Sequence, residues 1–573
     1  MASIIGLEDI YGSVIENVSN INPKKRSGQT PLHFAAGGGH FKICEMILNN
    51  VSEIDLADNG GNTPFHFAVQ EGHVQICKLL LKKMKNKNPA NKKGGTPLHA
   101  AARDGHQVIF KMIIDELFDK NPMDLEGYTP FHAASCGGHL EICKFIMKEV
   151  DDKNPKDDVG RTPLHLAAGK GHIEVCKLIT KEVTNKNPPE FDGTTPLHYS
   201  AQYGHTDVCK MIMEELVDKN PKNANELKPL YYAALEGQLE VCKLIMDEVT
   251  DKNPKDYYGT TPLHVAAMEG YEEIFELIAQ NLKDKNPTNL VGKTPLHLAA
   301  EKGYLEVCKL IIDQVVDKNP KDPLGSTPLH LAASEGHKEV CSLILQNTKD
   351  KNPVDLEDMT PLEYAICKGH QEIFQLIFYA EIGKKNPPNK DGTTPLHLAA
   401  TLGCKDICRM IIDEVSDKNP KAKNGDTPLH LAALKGHGEI CEMILEKIGD
   451  TTCETNPKNE MKITPLHLAA LEGLTEVCNL IMLNLKDKNP KDLEGRTPLH
   501  LAAMDGHEDV CKMIISEIAD KNPKAKDGTT PLQLARQNGH DHICRLITKD
   551  VKERNQRMNK NHVQQRRKKN FNK

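Results

Sequence analysis

The chain has 573 residues, 73 of them basic and 80 acidic, and carries a net charge of −7. That is far more chain than one hydrophobic core can serve, yet no shift in composition divides it into ordinary globular domains. No apolar run is long enough to span a membrane, and "MASIIGLEDIYG" lacks the basic start and long apolar stretch of a secretory leader. A cytoplasmic location is therefore expected, with a nuclear one as the alternative that a basic C-terminal run allows.

Residues 8 to 24, "EDIYGSVIENVSNINPK", read as a single helix closed by Asn-Pro. Residues 1–29 are thus expected to be a half-repeat cap and its loop, covering the first open core face as a stacked array requires. From Thr30 onward a TPLH element or a near variant returns every 33 residues, and with one extra residue before Thr394 and four before Thr464 the series reaches Thr530, making 16 copies. Residues 30–550 are read as this array, whose core grows along one axis and so resolves the conflict between length and uniform composition.

Within each copy the punctuation is regular, since 31 of 34 prolines fall in two registers, one after the marker residue and one after an asparagine eight residues before it. Threonine then proline predicts a helix start, with the hydroxyl as cap and proline at the first helical position. The first helix, TPLHLAA, is small enough to let neighbours approach. A glycine about nine residues on, such as Gly138 or Gly506, suits the left-handed residue that ends a helix. The second helix, as in "LEVCKLIMDEV" from Leu239, has apolar residues at Val241, Cys242, Leu244, Ile245 and Val249, close to helical spacing, so one face is expected to be buried between neighbours. The Asn-Pro pair is expected to stop it, because a residue before proline is pushed out of the helical region.

"DGHEDVCKMI", residues 505 to 514, sets His507 and Cys511 four positions apart on one helix face, a spacing that suits a soft metal or an activated thiol. Repetition argues against both. Thirteen of the 17 cysteines stand 14 residues after the marker, and Phe110, Phe275 and Phe374 fill that place elsewhere, so it reads as a buried apolar slot. Of 26 histidines, 13 belong to TPLH and 11 to a Gly-His pair, where Tyr271, Tyr304, Leu474 and Gln238 also occur. Only His542 and His562 stand apart from both registers, and only Cys136, Cys367, Cys404 and Cys453 stand outside the slot, without a common partner motif. Neither metal, cofactor, catalytic residue nor small-molecule substrate is expected.

At this point the chain resembles the ankyrin repeat family, whose TPLHLAA, GH and EV(C/V)KLI elements stand almost literally at Thr162 to Ala168 and Gly171 to Ile179. The resemblance covers about nine tenths of the chain. It implies an all-α ankyrin-repeat solenoid, a curved elongated rod of helix-turn-helix pairs with hairpin-like projecting loops, that binds proteins without catalysis. It also implies hydrogen bonds between the threonine and histidine of TPLH, as in Thr162 with His165 and Thr497 with His500. Two departures carry further expectations. Val150, Val183 and Val249 replace a helix-ending glycine, predicting up to one extra turn, and the proline after Asn154, Asn187 and Asn220 predicts stiffer, less strand-like loops.

The expected role is a scaffold or adaptor that binds partner proteins through its loop tips and concave helix face, or alternatively a regulatory or targeting subunit of a phosphatase or ubiquitin ligase. The tips are the third and fourth residues before each marker. They are polar or small in copies 1 to 3, 12, 13 and 16, but hold Phe191, Tyr257 with Tyr258, Leu290 with Val291, and Pro323 with Leu324 between them. Tyr203 lies in the same stretch, and half of the 12 tyrosines fall between residues 199 and 258. These are candidate partner contacts, because tyrosine offers area with a polar tip. The opposing expectation is that each apolar tip packs on its neighbouring loop and that Tyr199 and Tyr232 are core. Residues 551–573 hold nine basic residues and one acidic, leaving −15 on the body. Arg566, Arg567, Lys568 and Lys569 could serve nuclear import or contact nucleic acid or acidic lipid, against the plainer reading of a solvated tail.

Overall fold

The computed structural model describes residues 20–381, 383, 385–449 and 456–549. The proposed half-repeat cap lies largely, and the basic tail wholly, outside these. The described residues build helix pairs and no strand. In the fifth repeat the pair is Pro163–Gly169 and Ile173–Glu182. Thr162 is extended, Pro163 takes the first helical position, and the threonine hydroxyl and the His165 ring close a reciprocal cap. Between the helices Gly171 has φ +75°, and a Cβ there would lie 2.5 Å from Nδ1 of His205 in the next repeat. Glycine is thus required twice, for its backbone conformation and for the ring that covers it.

The two helices bury complementary faces. Leu164, Ala167 and Ala168 of the first and Val175, Cys176 and Ile179 of the second are at most 1 % exposed. Truncating a buried isoleucine such as Ile179 to alanine would cost about 2–5 kcal/mol.

Two expectations fail at the end of the second helix. The extra turn does not form: Val150, Val183 and Val249 are already extended, and each helix stops at the glutamate before. A β-branched residue is well suited to extended backbone and needs no glycine there. The Asn-Pro pair therefore does not stop the helix, which has ended several residues earlier.

Its side chains do other work. In the fourth repeat Asp119 Oδ1 accepts the Asn121 N–H at 3.0 Å, fixing the bend. Lys120 Nζ donates to the Ile114 carbonyl at 2.7 Å, satisfying the end of the preceding helix. Asn121 Oδ1 accepts the Phe131 N–H at 3.0 Å, capping the helix that follows. Lys153, Lys186, Lys219 and Lys252 reach the corresponding carbonyls of Met147, Thr180, Met213 and Met246. Asn154, Asn187, Asn220 and Asn253 cap Leu164, Leu197, Leu230 and Leu263. The Asp-Lys-Asn-Pro run is a clip joining consecutive repeats.

The chain forms two compact units, residues 1–295 and 296–573. Each is a stack of the same helix pairs.

Candidate functional site

His507 and Cys511 both belong to the packing of the stack. Cys511 is fully buried and burial pushes its thiol up to about 12, so it is neither thiolate nor accessible. His507 directs Nε2 to the Leu471 carbonyl of the preceding repeat at 2.8 Å. The same backward reach joins His139 to Arg103, His172 to Cys136 and His205 to Gly169 at 2.9–3.0 Å. The TPLH histidines reach forward instead. In the fifth repeat Nδ1 of His165 accepts the Thr162 N–H at 3.1 Å, which leaves the ring proton on Nε2 to donate to the Thr194 carbonyl at 3.3 Å. Both nitrogens are committed and none has a lone pair left for a metal. No group of three or more His, Cys, Asp or Glu side chains among the described residues is placed to hold a metal ion.

The loop tips present a different surface. Most are turns closed by an Asx residue, as where Asp124 Oδ1 accepts the N–H groups of Glu126 and Tyr128 at 2.9 Å. Successive tips are tied by one backbone bond: Leu125 N–H to Lys93, Asp158 to Glu126, Phe191 to Val159, Ala224 to Asp192, Tyr257 to Asn225 and Leu290 to Tyr258. This fixes the tips of the first unit side by side while their side chains stand clear. Phe191 is 72 % exposed, Tyr257 69 %, Tyr258 66 %, Leu290 76 % and Val291 62 %. Neighbouring loops therefore contact through backbone and leave these side chains outside the packing, contrary to the expectation that each tip is covered by its neighbour. Leu125 and Val159 are exposed in the same register and extend the apolar rim toward the N-terminus. Sequence reading passed over them, although the rule applied at Phe191 finds both. Leu324 is exposed on a tip of the second unit, as is Leu356 beside it.

The tyrosines behind the rim are divided in role. Tyr199 and Tyr232 are half-buried rather than core, each standing edge-on to the TPLH histidine of the preceding repeat, His165 at 5.7 Å and His198 at 5.6 Å between centroids. Their hydroxyls engage the loops: Tyr232 accepts from Asn223 Nδ2 at 3.2 Å, and Tyr199 pairs with Glu190, whose carboxyl burial holds above its usual range. Tyr203 is 54 % exposed and tilted against Tyr199. The first unit thus joins a rim of apolar tips to a half-open aromatic floor. In the second unit a groove of about 700 Å³ lies between the tips at Leu493 and Lys526, floored by Met504 and Leu534.

Arg566, Arg567, Lys568 and Lys569 lie outside the described residues. A family model described as ankyrin repeats in three copies matches the chain in overlapping stretches from residue 2 to 459 and again from 466 to 561. No curated protein matches the chain.

Proposed function

The chain belongs to the ankyrin-repeat family, modules that bind other proteins, and on that premise we propose that it is a non-catalytic scaffold or adaptor. It grips a partner protein with the loop tips of the first unit from Leu125 to Val291. The observation that carries this reading is the rim itself. Tips anchored to one another through backbone display phenylalanine, tyrosine and leucine that remain mostly exposed, and large apolar side chains clustered on a surface mark interaction sites. Tyr203 and the aromatic floor widen the contact, and the second unit offers Leu324 separately.

Replacing Phe191, Tyr257 and Tyr258 together by serine tests it. Partners are first identified by copurification with the intact chain. The expected outcome is loss of the principal partner with a melting temperature nearly unchanged. Retention of that partner would transfer the binding site elsewhere, and a large fall in melting temperature would make the tips structural.

A further inference from the structure

The loops of the first unit change sign along the stack. Over the seven residues before each marker, the loops of the first three repeats, 23–29, 56–62 and 89–95, hold Lys24, Lys25, Arg26, Lys92 and Lys93 against Asp58 alone. The next three, 122–128, 155–161 and 188–194, hold six carboxylates against Lys156 and Arg161. Those two cations are engaged within the stack: Lys156 Nζ donates to the Pro189 carbonyl at 2.9 Å and stands over the Phe191 ring at 5.7 Å, and Arg161 Nε pairs with Asp157 at 2.8 Å. Beyond them the seventh to ninth loops are nearly neutral, with Lys222, Lys255 and Lys293 against Glu226 and Asp256, and carry Tyr257, Tyr258, Leu290 and Val291.

At the tips of the fourth, fifth and sixth loops the charge stands beside apolar surface. Each sets one exposed apolar residue next to one exposed carboxylate: Leu125 with Glu126, Val159 with Asp158, and Phe191 with Asp192. No ion pair among the described residues involves these three carboxylates. Asp192 bonds within its own turn, to the Thr194 N–H at 2.8 Å and hydroxyl at 3.1 Å. The backbone bonds from Asp158 to Glu126 and from Phe191 to Val159 hold the three pairs in line.

We propose that the rim takes a protein segment whose basic residues, with apolar residues between them, lie over the fourth to sixth loops and whose apolar continuation lies over the eighth and ninth. This rests on the rim being the partner site and adds the partner's chemistry. Each tip carboxylate faces a lysine or arginine of the segment, while Leu125, Val159 and Phe191 cover the apolar residues beside it. A basic segment that slid toward the N-terminus would meet Lys92 and Lys93, and one that slid the other way would carry its charges past the carboxylates. The charge step between the third and fourth loops therefore sets register and steers encounter. The same six carboxylates repel nucleic acid and acidic membranes. Residues 551–573 of the chain are basic as well, but their large apolar residues are only Val551, Met558, Val563 and Phe571, so they answer the charge of the tips without the apolar half.

The test uses the full chain as bait for a display library of random peptides of about 12 residues, long enough when extended to cross the three tips. Recovered peptides are titrated against the parent and three variants. The first carries Phe191→Ser, Tyr257→Ser and Tyr258→Ser, and the second Glu126→Gln, Asp158→Asn and Asp192→Asn. The third, Glu149→Gln, Glu182→Gln and Glu214→Gln, removes the same charge from the exposed ends of the second helices of the same repeats. Peptides that fail to bind the first variant should be rich in lysine or arginine together with leucine, isoleucine or phenylalanine. They should weaken about tenfold on the second, as three exposed ion pairs together supply, and be unaffected by the third. Added salt should weaken them on the parent more than on the second variant. If these peptides are neutral or acidic, bind the second variant as tightly as the parent, or weaken equally on the third, the partner's chemistry is overturned while the rim stands. If no recovered peptide depends on Phe191, Tyr257 and Tyr258, the rim reading itself falls and this inference with it. A synthetic peptide of residues 551–573 that binds the rim more tightly than every recovered peptide would make the chain's own tail the occupant and overturn the proposal.

Discussion

His165 of the fifth repeat donates from Nε2 to the carbonyl of Thr194, 3.3 Å away at the foot of the sixth. The bond exists only while Nδ1 accepts the Thr162 N–H, so a second proton on the ring would place two N–H groups face to face. Burial lowers the ring to about 3, and it lowers His66, His198, His264 and His467 to about 4. These folded values lie below the unfolded value of about 6.5. The stabilisation is therefore fully present above pH 6.5 or so and is lost as pH falls through about 4, because the unfolded chain binds the protons first. The histidines held near 4 each contribute up to about 3 kcal/mol of pH-dependent stability, and His165 up to about 5 kcal/mol. Urea midpoints measured from pH 7 to 4 should fall steeply and together in both units. Midpoints flat across that range would mean that the rings are protonated without cost.

The second prediction concerns backbone strain. Among the described residues, Glu226, Asp358 and Lys462 are the non-glycine residues with positive φ, at 61°, 65° and 57°, and each stands where other repeats have a loop glycine. A left-handed L-residue costs about 1–2 kcal/mol. Glycine at Lys462 should raise stability by about 1 kcal/mol after its greater unfolded-state entropy is subtracted. The gain should be smaller at Glu226, which pairs with Lys222 at 2.6 Å, and least at Asp358, which accepts the Lys390 N–H at 2.6 Å. Equal gains at all three sites would show that those contacts contribute nothing.

The clip yields a prediction that separates two explanations of the same dipeptide. Asn154 caps Leu164 at 3.1 Å, whereas Pro155 follows a helix that has already ended. Asn154→Ala should therefore cost about 1 kcal/mol or somewhat more, and Pro155→Ala should cost less. Chemical denaturation that ranks the two in the opposite order would restore proline as the essential element.

Much of this was legible in the sequence because a repeat prints its own register. Thr162, Pro163 and Gly171 announce a cap, a first helical position and a left-handed turn through local chemistry alone. The clip was misread at Asn154 because its partner, the Leu164 amide, lies ten residues away and shares no face of a helix with it. The role of the Gly-His histidines was invisible for a similar reason: His172 bonds Cys136 across 36 residues, a contact that exists only once neighbouring repeats stack. The rim at Phe191 was legible as exposed apolar chemistry, but its continuity came only with the backbone bonds between tips.

The final prediction concerns where each unit opens first. At most junctions at least one histidine crosses between repeats, but two lack both. Between the seventh and eighth repeats Tyr231 replaces the forward histidine and Tyr271 the backward one, and Lys228 cannot supply the threonine cap. Between the eleventh and twelfth the replacements are Glu363 and Cys404. Coupling in a stack is between neighbours, so lost crossings weaken the junction where they fall. Under reducing conditions amide exchange should be fastest near residues 228–239 in the first unit and near 360–372 in the second, compared with equivalent segments of regular repeats. Lys228→Thr with Tyr231→His should restore both the cap and a bond to the Thr260 carbonyl, slowing exchange in the seventh and eighth repeats by about tenfold, the equivalent of 1.4 kcal/mol. Uniform exchange across regular and irregular junctions, or a double variant that exchanges no more slowly than the parent, would show that the histidine crossings do not set local stability.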